Sequence, residues 1–286
     1  MHLRSFILSF LLFILFFTSY AQQNNRMKQS KTSGYAAVNG INMYYEIHGQ
    51  GNMPLVLIHG GGSTIETSFG TILPLLAALY KIIAVELQAH GRTSDRDAPE
   101  SFKQDADDVA ALLAHLNIGK ANFLGFSNGG STTLQIAIRH PEIVNKIIPV
   151  AAAYRRDGLI PGFFDGMHQA SLDNMPGPLK EAYVKVAPDK NQLQVMFEKD
   201  KQRMINFADW PDEEIKSIKA PALFMVADKD VVTVEHTLKM SQLVQEATLV
   251  VLPGIHGSFI GEICTVDKNS KLPEITVALI EAFLNK

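Results

Sequence analysis

Cysteine is almost missing from this 286-residue chain: Cys264 stands alone. No internal disulfide can form, so a hydrophobic core must hold the fold together. Lys and Arg form no run longer than the pair Arg155-Arg156, and aromatic residues are little interleaved with them. With a net charge of −3, the chain lacks the basic footprint of a nucleic-acid binder, and no nucleic-acid partner is expected. There is no internal repeat and no low-complexity tract, which excludes solenoids and linker-type chains. What remains, 47% hydrophobic residues without a framework of cross-links, suits one moderately large packed domain.

The longest apolar run is at the N-terminus. Met1-His-Leu-Arg4 is a short basic start, residues 6–17 are apolar apart from Ser9, and Thr18-Ser-Tyr-Ala21 offers small residues where a signal peptidase reads. This pattern predicts a secretory signal peptide over residues 1–21, cut after Ala21 to leave Gln22 first. A core of about a dozen residues is short for a spanning helix, and no cysteine stands nearby to carry lipid. The expected location is therefore periplasmic or secreted, with no stable membrane anchor after cleavage. Losing Arg4 takes the net charge from −3 to −4. Residues 22–33, rich in Gln, Asn, Lys and Ser, read as a flexible lead-in, and 34–286 as the folded domain.

Gly125-Phe126-Ser127-Asn128-Gly129-Gly130 is the most informative passage. An apolar run precedes it and a helical pattern follows. Strand, G-x-S-x-G, helix is the arrangement of a nucleophile elbow, in which a sharp turn lifts the serine hydroxyl clear of the backbone. The Asn128 N–H and the helix dipole then face any developing oxyanion. An ordinary loop with Ser127 capping the helix has the same letters, so partners must decide. A serine hydroxyl needs a histidine base and a carboxylate to orient it. His256 follows the apolar run 249–252 and a Pro-Gly break; Asp228 and Asp230 follow the apolar run 221–227. A loop histidine is often only solvated, and Asp-Lys-Asp often only a polar turn. Three such sites, each just past a buried strand and in the order Ser, Asp, His, are much less easily accidental.

On these residues the chain resembles the α/β-hydrolase family, over roughly residues 35 to 285. His59-Gly60-Gly61-Gly62 looks like the family's oxyanion loop after the third strand, and residues 107–117 resemble the helix before the nucleophile strand. The resemblance implies Ser127 as nucleophile, Asp230 as acid in preference to Asp228, and His256 as base. It also implies an oxyanion hole formed by the N–H groups of Gly61 and Asn128. Two departures stand out. Ala227 replaces the glycine that usually opens the acid segment, and residues 86–93, Glu-Leu-Gln-Ala-His-Gly-Arg-Thr, differ from the usual D-x-R-G-x-G-x-S. That loop is mainly structural in relatives, so the triad is unaffected.

Pattern gives the rest of the fold. Asn39-Gly40 is a hairpin signal between strands at 35–38 and 41–47, and further strands are predicted at 55–59, 81–87, 122–126, 146–151, 222–227 and 248–252. Ala106, Val109, Leu112, Leu113 and Leu116 mark one helix face. Apolar strands alternating with helices predict an α/β fold: a mostly parallel, doubly wound sheet of about eight strands, with chemistry beyond the carboxyl ends of its strands. The long interval before the strand at 222 is expected to be a helical cap over about 154–219. Its Phe163, Phe164 and Met167 are candidates to line the substrate pocket, although cap apolar residues also serve simply to pack the cap.

A histidine-activated serine with an oxyanion hole predicts acyl transfer to water. The expected substrate is a small-molecule ester with a small or medium apolar acyl group. Lactones, including acyl-homoserine lactones, come second, and amides or N-terminal proline peptides third. Export argues against coenzyme A thioesters, and serine in the elbow against dehalogenation. A carbon–carbon bond hydrolase, a cofactor-free haloperoxidase and a catalytically silent binding protein remain as alternatives. No metal and no cofactor is expected, and the sequence leaves the oligomeric state open.

Overall fold

Asn39 and Gly40, at φ 44° and 85°, turn the chain between β1 (Thr32–Val38) and β2 (Ile41–His48). Asparagine and glycine are the residues that best tolerate such angles. The computed structural model describes residues 31–286; the predicted leader and nearly all of the lead-in lie outside the described residues. β1 starts at Thr32, ahead of the expected boundary, so the last lead-in residues belong to the sheet. As an edge strand it buries Ala36 and Val38 and leaves Thr32 and Ser33 exposed, which is why its start reads as polar lead-in.

The remaining strands are β3 (Leu55–Ile58), β4 (Ile82–Val85), β5 (Ala121–Phe126), β6 (Val144–Val150), β7 (Ala222–Lys229) and β8 (Ala247–Ile255). They form one 8-stranded sheet in the order β1-β2-β4-β3-β5-β6-β7-β8. β1–β2 and β2–β4 are antiparallel, and every pair from β4–β3 to β7–β8 is parallel. Every side chain of β3 and β4 is buried, as expected where helices cover both faces. β8 reads as an equally apolar run, yet it is the other edge, and Val251 is 42% exposed.

Short helices α1 (Ile65–Phe69) and α2 (Leu73–Ala77) follow β3. α3 (Phe102–His115) begins where the Ser101 hydroxyl accepts from the Gln104 N–H at 3.1 Å, a cap that stabilises by about 1 kcal/mol. It buries Ala106, Val109, Leu112 and Leu113 as its periodicity predicts, while Leu116 sits half-buried just past its end. α4 (Asn128–Arg139) packs against α3 and β5.

Between β6 and β7 the chain makes the cap: α5 (Phe163–Gln169), α6 (Gly177–Val186), α7 (Leu193–Ile205) and α8 (Asp212–Lys216). The apolar residues of the cap pack in two places. Met204, Phe207 and Trp210 join the main core, whereas Met175, Tyr183 and Met196 form a small core of the cap's own with Ala89. α9 (Val234–Leu243) and α10 (Leu272–Leu284) complete the layers. Among the described residues no helix is long and apolar enough to cross a membrane.

Candidate active site

Ser127 sits between the end of β5 and the start of α4 at φ 56°, ψ −119°, a conformation that costs a non-glycine residue about 1–3 kcal/mol. The turn is held by the Ser127 N–H, which donates to the Val150 carbonyl at 2.8 Å. Its glycines are required by space. A Cβ on Gly125 would run into the Gly129 carbonyl oxygen, and one on Gly129 into the Ile58 carbonyl oxygen. The helix-capping alternative fails, because the Ser127 side chain makes no cap hydrogen bond.

The structure brings the three predicted residues together. The His256 Nε2 lies 3.1 Å from Ser127 Oγ and its Nδ1 lies 2.6 Å from Asp230 Oδ1. Asp230 follows β7 and is buried, and its carboxylate also accepts from the N–H groups of Ala227 at 3.3 Å and Val232 at 3.2 Å. An acceptor at Nδ1 fixes the tautomer, leaving Nε2 free to take the serine proton. The Phe126 ring lies 4.7 Å from the imidazole, centroid to centroid, and restrains it from one side. Asp228 is exposed and accepts from the Gly254 N–H at 2.7 Å, so it braces the loop that carries His256.

Gly61 and Asn128 stand beside this relay. Asn128 opens α4, so its N–H is one of those a helix leaves without an intrahelical partner. Gly61 faces it so closely that a Cβ there would lie 2.5 Å from Asn128 Nδ2. His59, fully buried, uses both ring nitrogens: Nδ1 pairs with the Gly60 carbonyl at 2.7 Å, and Nε2 accepts from the Leu87 N–H at 3.0 Å. Burial and the neighbouring His90 push it down to about 3. His59 is thus a neutral brace for the oxyanion loop.

The sequence did not reveal the charged cluster behind that loop. Asp200, from α7, accepts from the Gly62 N–H, from Asn128 Nδ2 at 3.3 Å, from His90 Nε2 at 2.9 Å and from the Arg203 guanidinium. The only hint was an Asp–Arg pair at helical i, i+3 spacing in a cap otherwise rich in Met and Phe. The loop 86–93 is structural, as expected: buried Glu86 pairs with Arg92 at 2.6 Å. It also delivers His90 to the cluster. Burial opposes the charge on His90, but Asp200 outweighs it and holds the ring up at about 9. Both ring nitrogens accordingly donate, Nδ1 to the Gln88 carbonyl at 2.8 Å and Nε2 to Asp200. Burial likewise disfavours ionised Asp200, yet Arg203 and His90 keep it well below the ordinary carboxylate range.

A group whose value is raised on folding stabilises fully below its unfolded value and loses that stabilisation as pH rises through the folded one. For His90 this window runs from 6.5 to about 9, and buried Glu100, also raised, slopes the same way. Thermal melts are therefore expected to show Tm falling from pH 6.5 to 9, with a shallower fall in Asp200→Asn. A Tm that holds or rises across this window contradicts a charged His90.

Over the relay lies a cavity of about 780 Å³, walled by Ser127, Asn128 and Asp200 below and by Phe163, Met167, Met175, Met196 and Met204 above. Two of the three cap candidates, Phe163 and Met167, are where the sequence placed them. Phe164 is not in the wall: its ring carries the Arg156 guanidinium 3.5 Å from its centroid. The two phenylalanines are neighbours on one short helix, and only one can face inward. Among the described residues no group of three or more His, Cys, Asp or Glu side chains is placed to hold a metal ion.

A hydroxyl hydrogen-bonded to an imidazole, itself fixed by a buried carboxylate and flanked by backbone donors, is equipped for nucleophilic attack on a carbonyl. Fold and site together define a class, the α/β-hydrolase fold, and the family profile described as alpha/beta hydrolase fold matches residues 53–184. It is similar to the human serine hydrolase BPHL, 35% identical over 123 residues that make up 42% of each protein, so it spans less than half the length of that curated relative. Among solved structures it is similar to a serine hydrolase involved in carbazole degradation, with TM-score 0.72, 22% identity and coverage of 90% of this chain and 99% of that one. It also resembles the enol-lactonase of Burkholderia xenovorans LB400, with TM-score 0.67, 22% identity and coverage of 88% and 100%.

Proposed function

We propose that the chain is a serine hydrolase that cleaves carboxylic esters of small or medium apolar acyl groups through an acyl-enzyme intermediate. Ser127 attacks the ester carbonyl while His256 takes its proton; His256 then protonates the leaving alcohol and activates water to release the acid. The observation that carries this reading is the complete Ser127–His256–Asp230 relay opening into an apolar cavity.

The lining favours neutral substrates. Its one cation among the described residues, Lys201, has its ammonium on the Ala170 carbonyl at 2.6 Å. Among these residues no arginine or second lysine stands in the lining to clamp a substrate carboxylate, which argues against the anionic dienoates cleaved by carbon–carbon bond hydrolases. Asp200, the carboxylate of the lining, already accepts from Gly62, Asn128, His90 and Arg203. It has no acceptor left for the ammonium of an aminoacyl or N-terminal peptide substrate. Lactones are the second reading, since a neutral cyclic ester meets the same lining, and the fold is shared with an enol-lactonase.

A panel of acetate-to-octanoate p-nitrophenyl esters, lactones and aminoacyl naphthylamides tests the proposal. Turnover with an acyl-enzyme burst is expected on esters, and absence of both on every substrate would mark a silent binding protein. Phe163→Ala and Met167→Ala are expected to shift chain-length preference tens-fold, because each methylene in an apolar pocket is worth only about 1–3 kcal/mol. Phe164→Ala, outside the wall, should leave that preference in place. Equal loss on every ester in the first two variants would make the cap a folding element only. Export is part of the same proposal: the secreted chain is expected to begin at Gln22, and a chain still starting at Met1 in the membrane fraction contradicts it.

A further inference from the structure

Asp200 belongs to a cap helix, yet its carboxylate meets both the oxyanion loop and Asn128. Oδ2 accepts from the Gly62 N–H, next to Gly61, and Oδ1 accepts from the Asn128 side chain at 3.3 Å. Gly61 lies between them; a Cβ there would stand 2.5 Å from Asn128 Nδ2 and 3.1 Å from Asp200 Oδ2. The other side of the carboxylate is fixed to the core. His90, in the loop after β4, donates to it at 2.9 Å, and Arg203 joins it to α3 through Asp105 at 2.8 Å, with Glu100 3.4 Å from the guanidinium. A carboxylate offers about four lone-pair sites, and four donors fill them here. With no acceptor left for substrate, this carboxylate neither binds nor reacts. What its bonds do is fix the Gly60–Gly62 backbone and the Asn128 side chain relative to the cap.

We propose that Asp200 is a positioning residue for acyl transfer: from the docked cap it orients the Gly60–Gly62 loop and Asn128 so that the Gly61 and Asn128 N–H groups converge on the substrate carbonyl oxygen. Assembly of the oxyanion hole then depends on the cap being seated on the core. The proposal rests on the serine-hydrolase reading, because only developing oxyanion charge rewards such convergence.

Removing one oxyanion donor outright costs about 10²–10³ in kcat; misaligning donors that remain present should cost less. Asp200→Asn keeps the shape but turns an NH2 toward one pair of the four donors. It is expected to lower kcat by about 10–100-fold with KM nearly unchanged, the mark of an interaction made only in the transition state. Asp200→Glu keeps the charge opposite His90 and Arg203 but displaces the carboxylate, so it should restore thermal stability and not kcat. Asn128→Ala retains its backbone N–H but loses the bond to Asp200. Its kcat loss and that of Asp200→Asn should not multiply in the double variant, since both break one linkage.

The experiment measures kcat and KM on a p-nitrophenyl ester, the rate of fluorophosphonate labelling at Ser127, and Tm for wild type and these variants. Unchanged kcat in a folded Asp200→Asn, a change confined to KM, full rescue of kcat by Asp200→Glu, or multiplicative losses in the double variant would each overturn the assignment. In those cases wild type still labels and turns over, so the hydrolase reading stands. A wild type that neither turns over ester nor takes the probe defeats that reading, and the role of Asp200 falls with it.

Discussion

Ser127→Ala is expected to lower kcat on its best ester by about 10⁶, the loss seen when a nucleophile that acts as one unit with its base is removed. The hydroxyl is the atom that receives the acyl group, and His256 Nε2, 3.1 Å away, has no other proton to take from the enzyme. The fold should be untouched. Alanine carries the same Cβ as serine at the φ of 56°, and the Ser127 hydroxyl makes no cap bond that α4 would lose. Steady-state and burst kinetics, with a thermal melt as control, check both halves. A fluorophosphonate probe should label wild type at Ser127 and leave the variant unlabelled; equal labelling would sink the assignment.

The relay was legible in the sequence because each of its members is dictated locally. Ser127 needs Gly125 and Gly129 around it for want of space, and Asp230 and His256 each follow an apolar strand that ends at the same sheet edge. Alternation of buried strands and helices carried the fold for the same reason. Legibility stopped where geometry between distant elements decides. His90 and Asp200 are 110 residues apart, on a loop and a cap helix, and no periodicity connects them. Phe163 and Phe164 look alike in sequence, and only the docking of α5 turns one to the cavity and the other under Arg156. At the two sheet edges the rule of full burial lapses. β1 accepts polar residues that read as lead-in, and β8 exposes apolar ones that read as core. The loop 86–93 kept its structural task despite its altered letters because Glu86 and Arg92 close it with an ion pair. Its His90 acquired a second task that only the cap reveals.

Asp230→Asn is expected to lower kcat by about 10⁴, whereas Asp228→Asn, two positions earlier, should keep most of the activity. The contrast follows from what each carboxylate touches. Asp230 is buried and accepts a hydrogen bond from His256 Nδ1 at 2.6 Å, with the Ala227 and Val232 N–H groups fixing its plane. An amide there presents its NH2 group to Nδ1 and selects the tautomer whose proton sits on Nε2. That nitrogen then cannot accept the proton of Ser127, and the imidazolium that forms during attack also loses its counter-charge. Asp228 is exposed and accepts one hydrogen bond, from the Gly254 N–H at 2.7 Å. Asparagine retains a carbonyl oxygen for that bond, and no charge is buried at the site. Comparing kcat/KM of the two variants on one p-nitrophenyl ester, with melts to confirm folding, decides the matter. If Asp228→Asn is the crippled variant and Asp230→Asn the active one, the acid of the relay is Asp228 and the 2.6 Å contact between Asp230 and His256 does not serve catalysis.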